Sequence, residues 1–151
     1  MSDLKENVVN KRAALDTAMA NIKSELGAVV KSSVNPFLKS KYANLNTHLQ
    51  AVEPILQKYG CTLRQPTQFV GGQNVVISAI IHTETGQEAS ASLGLGEQND
   101  MQKLGGAITY ARRYTLSALL SMQAEDDDGN AASNKGMAPN KTTAVSKRGD
   151  F

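Results

Sequence analysis

The chain has 151 residues and a formal net charge of +2, with a pI near 8.7: enough for one domain with a real core, too short for two comfortable ones, and too weakly basic overall to announce a polyanion partner. A single cysteine, Cys61, excludes an internal disulfide, no apolar N-terminal stretch reads as a signal peptide, and nothing approaches the ~20 consecutive apolar residues of a membrane span. Charge is nevertheless uneven: between Lys31 and Arg64 the bases Lys31, Lys39, Lys41, Lys58 and Arg64 face only Glu53, while acidic residues gather in Glu125 to Asp128.

From Leu4 to about Val30 strong helix formers carry Leu15, Met19, Ile22 and Leu26 at helical spacing, with Ser2 or Asp3 available as caps. Asn35-Pro36 interrupts, because proline disfavours helical geometry in the residue before it, so a loop or short strand is expected from about Ser32 to Tyr42. "NLNTHLQAVEPILQKYG" predicts a second helix. Asn44 or Asn46 caps it, Leu49, Val52, Leu56 and Tyr59 face the core, Gly60 stops it, and a bend is expected at Pro54. His48 reads as a surface or capping residue, since no second histidine or cysteine stands at metal spacing. Cys61 reads as a small buried filler, and His82 the same.

Thr62 to Val70, Val75 to Thr83 and Gln87 to Leu95 predict three strands joined by the turns "GGQN" and "ETG", hence an antiparallel meander. "VVISAIIHT" is apolar on both alternating sets, so both faces of the middle strand are expected to be covered. The last helix begins between Asn99 and Lys103. Its core face reads as Leu104, Ala107, Ile108, Ala111, Thr115, Ala118, Leu119 and Met122, with Leu116 and Leu120 as a minor stripe. Tyr110, Arg113, Tyr114, Ser117 and Ser121 point away from that face and Arg112 sits on its edge. From Ala131 onward large apolar side chains almost vanish, which predicts a flexible tail at 131–151 beyond a domain at 1–130.

The aromatic and basic flank of the last helix admits two readings: guanidinium groups for phosphates with aromatic faces for bases, or an ordinary solvated surface. Three aspartates, Asp126, Asp127 and Asp128, oppose the macrodipole at that helix's C-terminal end and so call for a cationic partner. They do not make a calcium loop, because counting from Gly129 as the turn glycine puts Ala124 at the first ligand position and Lys135 where a glutamate is needed. They lack the further carboxylates and lysine of a nuclease metal site.

Taken together, "NPFLKSKYANLNTHLQAVEPILQKYG" and "GGAITYARRYTLSALLSMQAEDDDGN", in this order around a meander, resemble the ERF family of phage single-strand annealing proteins over approximately Leu4 to Asn130. The specific part is a helix that runs from "TYARRY" into "DDDGN". The resemblance implies an α+β fold, a small sheet packed on helices within the wider group of annealing recombinases, and assembly as rings or filaments. It implies a protein of the bacterial host's cytoplasm that binds single-stranded DNA and pairs complementary strands, with single-stranded DNA and annealed duplex as partners, no cofactor and no nucleotide hydrolysis. The absence of any GxxxxGK[ST] agrees with the last point.

For DNA contact the candidates are Lys39, Lys41, Arg112 and Arg113 on phosphates, then Lys31, Arg64 and Lys103, with Tyr42, Tyr110 and Tyr114 stacking or orienting. One of the two arginines, or a neighbouring subunit, is the expected partner of Asp126, Asp127 or Asp128. The region beyond Asn130 is short for this family, and its tip, Asp150 and Phe151, is a candidate docking segment for a host single-strand-binding protein. Competing functions are a plain protector of single strands, a metal-dependent nuclease built on Asp126 to Asp128, and a structural oligomer in which arginines and aspartates join subunits.

Overall fold

A computed structural model describes residues 2–32 and 44–122, Lys31 and Ser32 by their backbone only. The elements run α1 (Ser2–Ser32), α2 (Leu45–Lys58), β1 (Cys61–Arg64), β2 (Thr67–Val70), β3 (Gln73–His82), β4 (Glu88–Gly94) and α3 (Met101–Leu119). The class is α+β, as the sequence predicts, with an antiparallel sheet centred on β3 and a long helix after it. Ser32, where the sequence predicts a loop to begin, still belongs to α1; the rest of that loop, 33–42, the tail at 131–151 and the acidic run Asp126 to Asp128 lie outside the described residues.

The first predicted strand is two strands in one register. Cys61 stands opposite His82 and Arg64 opposite Ala79; Thr67 stands opposite Val76 and Val70 opposite Gln73. Carried through the gap, that register sets Gln65 against Ser78 and Pro66 against Ile77. Ile77 still donates to the Pro66 carbonyl at 3.0 Å, but proline has no N–H to return, so the ladder lapses there. The β2–β3 hairpin closes on Gly71 and Gly72, whose φ angles of 60° and 80° match a two-residue turn that twists with its strands. His82, at the far end of β3, is half-buried, and its ring Nδ1 lies 2.8 Å from the Thr85 hydroxyl in the β3–β4 turn. It therefore braces a turn rather than filling the core.

Among the described residues the helices all lie on one face of the sheet. Their common core is Leu15, Met19, Ile22 and Leu26 of α1, Val52, Ile55 and Leu56 of α2, Leu116 of α3 with Leu120 just beyond it, and Cys61 and Ile80 from the sheet. Each large aliphatic side chain buried here contributes roughly 1.5–3 kcal/mol before entropy is counted. Of the two apolar sets of β3, only Val76, Ser78 and Ile80 are under helices, all three at 0 % exposure. On the other face Val75, Ile77 and Ile81 are half-buried and Ala79 is buried. Among the described residues no helix lies over that face, so the expected cover is present on one face of β3 only.

Helix ends follow local chemistry. Ser2 and Asp3 lie inside the first turn of α1 rather than ahead of it. Asn44 caps α2, its side-chain oxygen accepting from the Thr47 N–H at 2.9 Å, and the His48 ring nitrogen lies 2.9 Å from the Asn44 carbonyl. The helix continues through Pro54; Gln50, whose carbonyl the missing N–H would have served, is exposed to water. It stops at Gly60, with φ of 73°. α1 and α2 are clasped by Glu25, which accepts from Lys58 Nζ at 2.9 Å and from the Tyr59 hydroxyl at 2.8 Å. Lys58 and Tyr59 hydrogen bonds hold the Glu25 carboxyl below its ordinary range, and Glu25 in turn raises the pKa of both partners.

Candidate nucleic-acid interface

α3 begins at Asp100, whose carboxylate accepts from the Gln102 and Lys103 N–H groups at 2.8 and 3.3 Å. It ends in a left-handed Ser121 (φ 55°), with Met122 N–H on the Ser117 carbonyl at 2.9 Å and Ser121 N–H on the Ala118 carbonyl at 3.3 Å. That bond pair satisfies the last carbonyls without glycine. Between these ends the core face is rotated from the one periodicity predicts. Leu116 and Leu120, expected as a minor stripe, are buried at 0 % and 2 % exposure, and Ala118, expected in the core, is exposed. The helix meets both the sheet and α2, so its buried arc widens toward the helical layer.

The two arginines part as the helical period predicts. Arg113, half-buried, lies beside the aromatic pair, its guanidinium 5.9 Å from the centre of the Tyr110 ring. Tyr110 stacks on Tyr114 with centroids 5.8 Å apart and planes within 10°, although both rings are more than half exposed, at 53 % and 55 %. Tyrosines left stacked in water at i and i+4 next to a guanidinium form a flat, aromatic and cationic strip along the outer flank of α3.

Arg112 turns toward the sheet. Its Nε donates to the Gln65 side-chain oxygen at 3.3 Å, and the Gln65 amide nitrogen donates to the Arg112 carbonyl at 2.9 Å and to the Ser78 hydroxyl at 2.8 Å. The Ser78 and Thr115 hydroxyls are 2.6 Å apart, and Thr115 donates to the Ala111 carbonyl at 2.8 Å. Since the Thr115 hydrogen is committed to that carbonyl, Ser78 is the donor to Thr115. The chain of donors then runs one way, from Gln65 through Ser78 and Thr115 to the backbone of α3. Gln65 and Ser78 are sites that sequence reading missed. The signal was a polar residue on an alternation otherwise apolar: Gln65 after Cys61 and Leu63, and Ser78 between Val76 and Ile80.

Of the remaining predicted contacts, only Lys103 and Arg64 have described side chains, and the two stand on different elements. Lys103 is exposed in the first turn of α3. Arg64 lies on the sheet face away from the helices, opposite Ala79, and reaches across to Glu88 at 3.7 Å. Lys31 falls in the last turn of α1. Lys39, Lys41, Tyr42, Asp126, Asp127 and Asp128 lie outside the described residues. Among the described residues no three metal-ligating side chains group together, and no helix is long and apolar enough to cross a membrane.

The described residues thus form an α+β domain with its helices on one side of the sheet, whose last helix carries a half-exposed stacked tyrosine pair beside Arg113. The chain belongs to the ERF superfamily, whose family model matches residues 15–149. Membership implies a function in phage DNA recombination of the annealing type. The match opens at Leu15, the first residue of α1 that reaches the core, and continues past Asn130. No curated protein and no solved structure matches the chain.

Proposed function

We propose that this protein binds single-stranded DNA and anneals complementary strands without nucleotide hydrolysis, acting as a homo-oligomer in recombination of phage DNA in the bacterial cytoplasm. Family membership supports the reading, and the observation that carries it is the exposed Tyr110–Tyr114 stack beside Arg113. Bases of a single strand stack on aromatic faces whatever their identity, and guanidinium groups neutralise the phosphates between them. Held by one face and its backbone, a base keeps its pairing edge open. Two strands repel one another, so a lattice that neutralises the first lowers the barrier to bringing in the second. Lys39, Lys41 and Tyr42 extend the phosphate contact in this reading, with Lys31, Arg64 and Lys103 as weaker contributors. Asp126 to Asp128 serve as ion-pair or subunit contacts, and the C-terminal tip docks on a host single-strand-binding protein.

The test is duplex formation from complementary oligonucleotides, followed by fluorescence without nucleotide, for native protein and for Tyr110→Ser/Tyr114→Ser. Both rings stand mostly in water, so the fold is retained. Each lost stack is worth about 1–3 kcal/mol, so single-strand affinity falls by at least about tenfold and annealing falls with it. Binding without accelerated pairing in the native protein would make it a protector of single strands. Annealing indifferent to the double change would remove the aromatic strip from the DNA path.

A further inference from the structure

Gln65 spends a whole side-chain amide at the seam between the sheet and α3. Both of its N–H groups are committed, one to the Ser78 hydroxyl and one to the Arg112 carbonyl, and its oxygen accepts from Arg112 Nε. Ser78 and Thr115 beneath it are 0 % and 2 % exposed. A buried polar chain of this kind holds the fold no better than apolar side chains of the same shape. What it adds is direction. With the amide fixed from two sides, the plane of the Arg112 guanidinium is fixed through Nε, and only Nη1 and Nη2 are left to turn outward. Arg112 itself is half-buried, and among the described residues no carboxylate pairs with it.

We propose that Gln65 is a positioning residue for ligand binding: through its amide bridge it sets Arg112 as a two-pronged donor aimed at a phosphate of single-stranded DNA. The proposal rests on the reading of the protein as a single-strand binder. An arginine whose plane is set beforehand matches two phosphate oxygens with little further loss of rotamer freedom, which a lysine ammonium cannot reproduce. Arg112 and Arg113 then divide the work, the first gripping the backbone from the helix–sheet seam and the second lying with the aromatic strip. The position of Gln65 makes the arrangement possible. It stands between the last residue of β1 and Pro66, and its side chain meets Ser78 and Arg112 at the seam beneath α3.

The test uses the full-length chain and labelled oligo(dT), with affinity measured across a salt series for native protein, Gln65→Met, Arg112→Met, Gln65→Met/Arg112→Met and Asn44→Ala. The last removes the α2 cap, which shares no hydrogen bond with Gln65 or Arg112, and controls for a general loss of stability. Gln65→Met and Arg112→Met are each expected to weaken binding by at least about tenfold at low salt. Each also lowers the slope of log affinity against log salt by about 0.7, one single-strand phosphate contact. The double variant is expected to be no worse than either single one, and Asn44→Ala to bind as the native protein does.

Native slope and affinity in Gln65→Met would overturn the proposal, as would a loss shared equally by Asn44→Ala. Should Gln65→Met fail to fold, Arg112→Lys keeps the charge without the planar fork. A lysine neutralises one phosphate as an arginine does, so the slope stays native; an affinity reduced like that of Arg112→Met supports the positioning role, and native affinity overturns it. Failure of the underlying reading shows separately, as absence of oligo(dT) binding by the native protein before any variant is compared.

Discussion

Thr115→Val is the sharpest probe of the polar chain under α3. Valine nearly matches threonine in shape, and the site is 2 % exposed, so the substitution removes a hydroxyl with little change of volume. Thr115 accepts from Ser78, and its own hydrogen goes to the Ala111 carbonyl. That carbonyl keeps its place in the helix ladder, but the Ser78 hydroxyl, itself fully buried, loses its acceptor. An orphaned buried hydroxyl costs about 1–3 kcal/mol, which in a domain of this size lowers Tm by roughly 2–8 °C per kcal/mol. Ser78→Ala leaves a different orphan, one N–H of Gln65.

In Ser78→Ala/Thr115→Val the donor and acceptor of the central bond leave together. The double variant is therefore expected to be less destabilised than the sum of the singles, by about 0.5 kcal/mol or more. The chain has no tryptophan, so urea unfolding followed by far-ultraviolet circular dichroism is the suitable assay. A Thr115→Val midpoint within error of the native one, with singles that simply add, would refute the directed chain of donors.

Asn44→Ala removes the cap that accepts from Thr47 and is expected to cost about 1 kcal/mol, read from the urea midpoint. Ser121→Gly relieves a left-handed serine (φ 55°); set against the greater freedom of unfolded glycine, a net gain of about 0.5–1 kcal/mol is expected, and an unchanged or lower midpoint would contradict it. The Glu25 clasp makes stability depend on pH at both ends. Because the Glu25 pKa is lowered from 4.5, its contribution is full above that value and disappears as pH falls through the lower folded one. Lys58 and Tyr59 are raised from 10.5 and 10.0, so their contributions hold below those values and are lost as pH rises through the folded ones. Thermal melts of Glu25→Gln against pH are expected to show both dependences flattened, and native-like curves would deny the clasp its role.

The element order was legible in the sequence because its signals act over a few residues. Asn44 and Gly60 bracket α2 by capping and a left-handed stop, and Gly71-Gly72 set the hairpin and with it the register of β2 on β3. The proline break was legible only in part: the alternation through Arg64, Gln65 and Pro66 predicts one strand, and the missing N–H of Pro66 made it two. The outward side of α3 followed from its period, whereas its buried arc did not, since Leu116 and Leu120 depend on how α2 packs beside the helix.

What the sequence by itself determined was the class of fold, the glycine turns, the two ends of α2 and the stretch that marks the family. Each is written in side chains within about one turn or one hairpin of each other. The tertiary structure decided which polar residues meet. Gln65 finds Ser78 13 positions away and Arg112 47 positions away, and Ser78 finds Thr115 across 37. It also decided that Arg64 stands on the sheet face opposite the helices and that Arg112 meets Gln65. Those outcomes hang on strand register and helix rotation, and a hydrogen bond between distant residues exists only once packing has fixed both to within a fraction of an ångström.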